Sequence, residues 1–564
     1  MQTRFFQFLI KSMFYVLLFS STPLLAQSVQ TVGLFQNDPG SSDGYTLFNS
    51  LRGKTTYLMN NDGLEVRSWE SNYVVGNSVY FLEDGTLLRT ADPGGNPVFI
   101  AGGDAGLIEQ YDWDGNIIWE FLYSNSDVRH HHDIAPMPNG NVLILAWELV
   151  TGADAIQAGR DPNLLSSGVL WPEHIIEVEP VGANGGNIVW EWHIMDHVIQ
   201  DIDPSKDNFG VVADHPELLN INYAISPGPD WLHGNAIDYN ADLDQIILNS
   251  PYLGEFWIID HSTTTAEAAG HSGGNSGMGG DLLYRWGNPA AYNRGTAADR
   301  KFFNHHDVSW IDEGLPGAGN ILIFNNGQGR PAGAYTSIEE MTTTVDSNGM
   351  YPQPLPGMSH GPDNVNWIYT DDPPTDFYSR FISGAQRLPN GNTLVCDGAN
   401  GNFFEIDNAG TQYWYYVNPV IDTGPVMQGT QIPSGANATF RANRYPPDYP
   451  GFVGLDLTPG NPIEIYPTGI SDNGNELTTF QLEQNYPNPF NPSTSIRFSL
   501  EVSQRIQLDI YNSIGQKVET LAAGTYIAGA HTVDWQPGSA AAGIYFYRLS
   551  TDGGSKMRKM LFIK

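Results

Sequence analysis

The stretch "HHDIAPMPNGNVLI" at residues 131–144 has the pattern of one β-hairpin with histidines at its start. "PNGN" is a tight-turn signal, and apolar residues flank it on both sides as they do in paired strands. Four further segments share this plan of a polar start, a Gly- or Asn-containing turn and an apolar strand. They are "NSVYFLEDGTLL" (77–88), "HGNAIDYNADLDQIIL" (233–248), "HHDVSWIDEGLPGAGNILI" (305–323) and "SGAQRLPNGNTLV" (383–395). The repetition predicts one structural unit that recurs along the chain.

A second unit, an apolar and aromatic strand after a turn, alternates with the first. Its six copies are "LEVRSWES" (64–71), "NIIWEF" (116–121), "NIVWEW" (187–192), "LLYRWG" (282–287), "NVNWIY" (364–369) and "YWYYV" (413–417). With a third strand between the units, each repeat makes a four-stranded blade, and six outer strands predict a six-bladed β-propeller. Only five hairpins are visible, so the ring is expected to close with mixed strands, "GYTLFNS" (44–50) and "ATFRANRYP" (438–446).

The composition agrees with an all-β chain of more than one domain. The 564 residues include 61 Gly and 37 Pro, which favour many turns over long helices. The net charge of -36 argues against nucleic acid or an anionic membrane surface as a partner. Cys396 is the only cysteine, so no disulfide forms within the chain.

Both ends of the sequence carry features of an exported protein. Residues 1–26, with the apolar run "MFYVLLFSSTPLLA", are typical of a signal peptide, and no later run is long enough to span a membrane. The predicted domains are a propeller over 27–455, a linker over 456–479 and a small β-sandwich over 480–564, where alternating strands are separated by Gly turns.

The propeller places three histidines together. Inner strands of a propeller line its channel and start at one mouth, so His132, His233 and His306 are expected to converge there. Strand alternation brings only one of His305 and His306 to the channel. Asp133 and Asp307 then point away, with two roles left open: binding turn amides or orienting an imidazole.

The C-terminal segment resembles a known type of secretion signal. "NYPNPFNPSTSIRF" (485–498) and the closing "LFIK" are similar to the C-terminal sorting domains of the type IX secretion system. The resemblance implies the type IX machinery as a partner, transport through the periplasm and across the outer membrane, and a secreted or surface location.

The segments "GYTLF", "TTYLMNNDGLEVRSW", "HHDIAPMPNGNVLIL" and "DWLHGNAI" resemble the bacterial arylsulfotransferase family over about residues 44–450. The resemblance implies a six-bladed propeller that moves a sulfuryl group from an aryl sulfate to a phenol through a transiently sulfated histidine. By motif position His306 is the nucleophile, with His132, His233 and Asn235 in the same site. No cofactor or metal is implied, and a neutral imidazole is a suitable nucleophile.

One departure from the family concerns sulfate binding. Where the family has an arginine in a Ser-Ser-Arg stretch, this chain has Asn249-Ser250-Pro251-Tyr252. Tyr252, Arg330 and Arg387 are therefore the candidate substrate-binding residues. Three alternatives stay open: a non-catalytic ligand- or surface-binding propeller of the same lineage, a metal-dependent hydrolase or lyase using "HHHD" and "HHD", and a quinone-cofactor dehydrogenase.

Overall fold

A computed structural model describes residues 30–223, 228–346, 348–466, 480–500, 502–512, 516–538, 540–551 and 554–564. The chain divides into two compact units, with the boundary after residue 467. The predicted signal peptide and most of the predicted linker lie outside the described residues. The domain boundaries proposed from the sequence remain predictions.

Among the described residues of the first unit, six antiparallel sheets have four or five strands each, and we number them in chain order. Sheet 1 contains Thr439–Tyr445, Tyr45–Ser50, Thr55–Asn60 and Glu65–Glu70; sheet 2 contains Val74–Phe81, Leu87–Asp92, Leu107–Tyr111 and Ile117–Leu122; sheet 3 contains Val128–Pro136, Val142–Glu148, Glu173–Val181 and Gly185–His193. Sheet 4 contains Ile237–Asn240, Gln245–Ser250, Glu255–Asp260 and Leu282–Trp286; sheet 5 contains His306–Trp310, Ile321–Asn325, Ser337–Met341 and Trp367–Tyr369; sheet 6 contains Gly384–Arg387, Thr393–Asp397, Asn402–Ile406, Gln412–Val417 and Gly33–Asn37.

We call the strand that is given first for each sheet its first strand. The first strands lie beside one another in cyclic order from sheet 1 to sheet 6 and back to sheet 1. Sheet 1 joins the two ends of the unit, because Thr439–Tyr445 pairs with Tyr45–Ser50. The two segments that were expected to close the ring are therefore paired with each other in sheet 1. The fifth strand of sheet 6, Gly33–Asn37, was not predicted; it pairs with Gln412–Val417.

The recurring tryptophans of the outer strands link each sheet to the next. Each donates its indole N–H to a main-chain carbonyl in the next sheet of the cycle or in a loop beside the outer strand of that sheet. The pairs are Trp69 with Asp112, Trp119 with Gly185, Trp192 with Gly280, Trp286 with Pro362, Trp367 with Asn408 and Trp414 with Asn61, at 2.7–2.9 Å. Five of these indoles are buried and Trp367 is partly buried; an indole N–H that leaves water needs such a partner.

Most of the first strands have a distorted backbone within them or just before them. Asn77, His132, His233 and Asp307 have positive φ angles of 108°, 52°, 53° and 48°; Asn77, His132 and Asp307 lie within the first strands of sheets 2, 3 and 5, and His233 lies shortly before that of sheet 4. The register of sheets 3 and 5 shifts there, between Ile144 and Ala146 and between His306 and Val308. Such bulges turn side chains off the simple alternation that a regular strand imposes.

Helices are few and short. The α-helices are Gly152–Gln157 and Thr265–Ala268, and the 3₁₀-helices are Pro162–Leu164, Ile194–His197, Val212–Asp214, Pro289–Tyr292, Ala297–Asp299, Pro374–Asp376 and Pro450–Phe452. Two-stranded pairs join Val150–Thr151 to Val169–Leu170, Val198–Ile199 to Leu219–Asn220, and Val420–Ile421 to Gly424–Pro425. In the part of the chain that the structure describes, no helix is long and apolar enough to cross a membrane.

The second unit consists of two sheets around one hydrophobic core. Phe480–Leu482, Thr494–Leu500 and Gly529–Trp535 form the smaller sheet; Lys517–Tyr526, Gln504–Asn512, Gly543–Thr551 and Gly554–Phe562 form the larger. Phe498 from the smaller sheet and Leu508 from the larger belong to the same buried cluster. The all-β class predicted for both parts of the chain is confirmed.

Candidate active site

Three predicted histidines come together: His132 lies within the first strand of sheet 3, His233 shortly before that of sheet 4 and His306 at the start of that of sheet 5. We call them the histidine group. The rings of His132 and His233 pack edge to face with centroids 4.7 Å apart. His306 is close enough that its charge affects the pKa of His132, and that of His233 affects the pKa of His306. Residues separated by up to 174 positions in sequence thus share one centre.

His132 is the member of "HHH" that reaches this centre. Its Nδ1 lies 2.9 Å from Nδ1 of His131, whose ring stacks on Trp147. Gly103 makes the close packing possible, because a Cβ there would lie 2.0–2.2 Å from three ring atoms of His132. The Gly103 carbonyl also accepts the His132 main-chain N–H at 2.8 Å.

His233 has a carboxylate partner. Its Nδ1 donates to Oδ2 of Asp230 at 2.6 Å, which leaves Nε2 as the free ring nitrogen. Tyr252 stacks on the ring at 4.8 Å between centroids. Behind Asp230, the carboxyl of Glu173 is buried, accepts the Gly234 N–H at 2.6 Å and has its pKa raised well above its usual range by burial and by the Asp230 charge. The raised pKa favours the protonated form of the Glu173 carboxyl.

His306 is held in one tautomer by its neighbours. The side-chain nitrogen of Asn326 donates to the carbonyls of Ser379 and Ile382, so its Oδ1 accepts, and it lies 2.8 Å from His306 Nδ1. Nδ1 therefore carries the hydrogen, and the lone pair is on Nε2, which accepts the Ile382 N–H at 3.2 Å. His305, by contrast, stacks on Phe302 and bonds to the Glu255 carbonyl through Nε2.

Burial keeps the His306 and His132 imidazoles uncharged. It lowers the pKa of His306 to about 3, with the Asn326 hydrogen bond acting in the opposite direction. Burial, and then the His233 charge, lower the pKa of His132 well below its usual range. Both rings are consequently neutral at physiological pH, because desolvation disfavours the charged form.

Arg441, which the sequence analysis missed, connects the strands that carry two of the histidines. Its Nη1 lies 2.7 Å from Asp133 and its Nε lies 2.6 Å from Asp307. The two aspartates also accept main-chain N–H groups of Ile237 and Ala385. Neither aspartate orients an imidazole. Both bind main-chain amides, which is one of the two roles left open by the sequence, and both also contact Arg441. No signal in the sequence beyond the mixed strand 438–446 pointed to Arg441.

The remaining predicted residues lie in different settings. Asn235 is fully buried; its amide oxygen accepts from Asn249 at 2.7 Å, and its amide nitrogen lies 3.4 Å from the His305 carbonyl. Arg330 bonds to Ser337 and lies 3.5 Å from Glu339. Arg387 is paired with Glu340 at 2.6 Å and reaches the Gly391 turn at the far end of its strand.

Arg380 is a cation that sequence reasoning did not single out. It is exposed, and it makes no ion pair with any residue that the structure describes. Its guanidinium lies 5.0 Å from the Phe381 ring. Its carbonyl accepts from Asn304, whose own carbonyl lies 3.1 Å from His306 Nδ1, and Ile382 donates to the same imidazole. Arg380 therefore belongs to the loop that holds His306.

Comparison with known proteins identifies the class. Residues 30–420 match the arylsulfotransferase (ASST) family, so the chain belongs to that family. Residues 484–564 match the secretion system C-terminal sorting domain, which indicates export to the cell surface or secretion. Both resemblances noted in the sequence are confirmed.

Individual relatives are more distant. The chain is 21% identical over 326 residues to arylsulfate sulfotransferase AssT of Escherichia coli O6:H1, covering 53% of this chain and 50% of that protein. It thus spans about half the length of that curated relative. Among solved structures, a Bacteroides caccae protein of unknown function gives 11% identity and a TM-score of 0.38, with coverage of 72% and 99%. Virginiamycin B lyase from Staphylococcus aureus gives 10% and 0.31, with coverage of 69% and 89%. Scores this low carry no argument about function.

Proposed function

We propose that the first unit is a six-bladed β-propeller that transfers a sulfuryl group from an aryl sulfate to a phenol through a sulfated His306. The observation that carries the proposal is the convergence of the histidine group, whose members lie in or shortly before three neighbouring first strands. The family membership supports sulfuryl transfer as the reaction class. The cyclic order of the six sheets, closed by Thr439–Tyr445, supports the six-bladed architecture.

His306 suits the nucleophile's role because its lone pair is on Nε2 and its ring is neutral. Nε2 attacks sulfur, an N–S bond forms, and the S–O bond to the aryl group breaks with its electron pair on the departing phenolate. The acceptor phenol later attacks the same sulfur and restores the imidazole. The covalent intermediate divides the sulfuryl transfer into two successive displacements. The weak 3.2 Å bond from the Ile382 N–H is displaced when sulfur approaches.

His233 is the proton carrier in this proposal. In its protonated form, paired with Asp230, it gives a proton to the phenolate; in its neutral form it takes one from the acceptor phenol. The 2.6 Å bond to Asp230 supports both forms, because a carboxylate stabilises an imidazolium and fixes the neutral tautomer. Tyr252, stacked on His233, is a wall for the aromatic ring of the substrate.

Recognition of the sulfate oxygens requires charge or oriented donors. The two arginines predicted from the sequence already have carboxylate partners: Arg330 lies near Glu339 and Arg387 is paired with Glu340. Their role in binding stays a prediction, and we favour the unpaired Arg380 as the cation that meets the sulfuryl group. Asn235 and Asn249 then position the main chain at His305, next to the nucleophile. The C-terminal unit, a β-sandwich in this proposal, directs export through the type IX machinery.

The test uses a chromogenic aryl sulfate with a phenol acceptor. His306→Ala should abolish phenol release and the covalent adduct seen by intact-protein mass spectrometry, while His305→Ala, a neighbouring buried histidine, should retain transfer. Donor and acceptor should show ping-pong kinetics. Arg380→Ala should cost roughly 3–4 kcal/mol of transition-state stabilisation, the scale of a lost oxyanion donor, and Arg387→Ala should not.

Loss of transfer in His305→Ala with retention in His306→Ala would mean that the nucleophile is the other histidine. Absence of adduct and turnover across a panel of aryl sulfates would favour the non-catalytic propeller instead.

A further inference from the structure

A second histidine cluster lies outside the histidine group, in the segments that flank the outer strands of sheets 3 and 4. His197 ends the 3₁₀-helix Ile194–His197 that follows the outer strand of sheet 3, and His271 and Asp281 come from the insertion before the outer strand of sheet 4. Nδ1 of His197 and Nδ1 of His271 each lie 2.8 Å from the same oxygen, Oδ1 of Asp281. Within the described ranges, no other group of three His, Cys, Asp or Glu side chains is this compact.

The hydrogen bonds of His197 leave its second nitrogen facing an acceptor. Nε2 lies 2.8 Å from the Ala268 carbonyl, which only accepts, so Nε2 carries a hydrogen. In the neutral ring the lone pair is then on Nδ1, directed at the Asp281 carboxylate. Two acceptors face one another at 2.8 Å, and either an added proton or a cation must lie between them. A carbonyl that takes the outer N–H is the usual support of a metal-binding histidine.

The surrounding residues hold the His197 ring in one position. Its ring is fully buried and stacks parallel to Trp192, with centroids 5.5 Å apart and planes 4° apart. Gly280 completes the cradle: a Cβ there would lie 2.6 Å from Nε2 of His197 and 2.0 Å from the Ala268 carbonyl. Only glycine leaves room for this imidazole and its partner.

We propose that His197, His271 and Asp281 bind a divalent transition-metal ion of the zinc type. Two imidazoles and one carboxylate suit such an ion, with water in the remaining position. Ligand atoms at about 2.0–2.2 Å from the ion are separated by roughly 3.3 Å in a tetrahedron, so the present 2.8 Å contacts must open by about 0.5 Å. The His271 side chain is 63% exposed and can make that adjustment. The ion would fasten the insertion 261–281 to sheet 3.

The test measures metal content and binding of Zn²⁺ added as its chloride to the full chain, purified without a histidine tag and stripped with a chelator. The parent should bind one zinc per chain by elemental analysis and by titration, and zinc should raise its melting temperature. His271→Ala should lose both effects. His215→Ala is the matched control, because His215 is also exposed and lies 2.8 Å from Glu217.

Absence of stoichiometric zinc in the parent, or equal binding by His271→Ala, would overturn the proposal and leave a salt-bridged cluster. Asp281→Asn is the second variant, and it should weaken zinc binding even if His271→Ala alters the fold. The proposal does not depend on sulfuryl transfer, because none of these measurements uses an aryl sulfate.

Discussion

Replacing Arg441 with methionine tests whether one buried arginine both stabilises the first unit and positions its histidines. The change leaves the carboxylates of Asp133 and Asp307 without their cation, with side chains only 0% and 11% exposed. Removing one partner of a buried ion pair costs about 3–5 kcal/mol. Because main-chain N–H groups and the Tyr80 hydroxyl still bind these carboxylates, we expect the lower end, about 3 kcal/mol at pH 7.

The pH dependence of that loss has a definite sign. Burial raises the pKa of Asp307, and Arg441 acts in the lowering direction, so Arg441→Met should raise this pKa further. A group whose folded pKa is raised stabilises the fold when protonated, and this contribution is lost as the pH rises through the folded pKa. The stability deficit of the variant should therefore be largest near neutral pH and smaller at pH 5.

Denaturant unfolding followed by tryptophan fluorescence is a suitable assay, since Trp535 is the only tryptophan beyond residue 467. Arg89→Met is the matched control, because Arg89 and Glu109 form another fully buried pair, at 2.6 Å in sheet 2. Both variants should lose stability, but only Arg441→Met should lose sulfuryl transfer per folded molecule. Parent-like stability of Arg441→Met at pH 7, or equal transfer in the two variants, would refute the reasoning.

Three further outcomes are expected. Gly103→Ala should abolish transfer from a chromogenic aryl sulfate, because its Cβ would collide with the His132 ring, whereas Gly102→Ala, whose Cβ would lie 3.7 Å from His233, should not. Glu173→Gln should keep transfer within a few-fold, as expected if its buried carboxyl holds a proton, while Asp230→Asn should lower it by about 10²-fold or more, measured as kcat. Deleting residues 480–564 should retain the first unit in the periplasm, which fractionation and immunoblotting would show; normal surface delivery would contradict this.

The repeats in the sequence were sufficient to predict the strands because each repeat shows both a turn and a periodic apolar strand. The need to close a ring singled out 44–50 and 438–446, and the structure pairs these two segments with each other. The strand Gly33–Asn37 was missed because it adds to an outer edge, where no closure requires it and where its own burial alternates only partly. Pairing at an open edge is decided by contacts with a strand almost 400 residues away.

The histidine group was predictable because its members stand at equivalent positions in the repeats. The residues that hydrogen-bond to these histidines could not be predicted from the sequence. Asp230 lies in an irregular segment three residues before His233, and Asn326 follows a strand 20 residues after His306. Strand alternation alone also misled at Asp133 and Asp307, because the bulges beside them turn both toward Arg441. Backbone distortion of this kind depends on tertiary contacts and leaves no periodic pattern.

The charges around the site assign different tasks to different residues. A chain of net charge -36 repels an anionic sulfate ester at long range, so the site needs local attraction. Burial keeps His306 and His132 neutral, as the proposed attack by His306 requires, but it removes positive charge. The charge of Arg441 is already balanced by two aspartates, and those of Arg330 and Arg387 lie against glutamates. We infer that nucleophilicity and anion recognition are carried by separate groups, with buried imidazoles supplying the first and the exposed Arg380 the second.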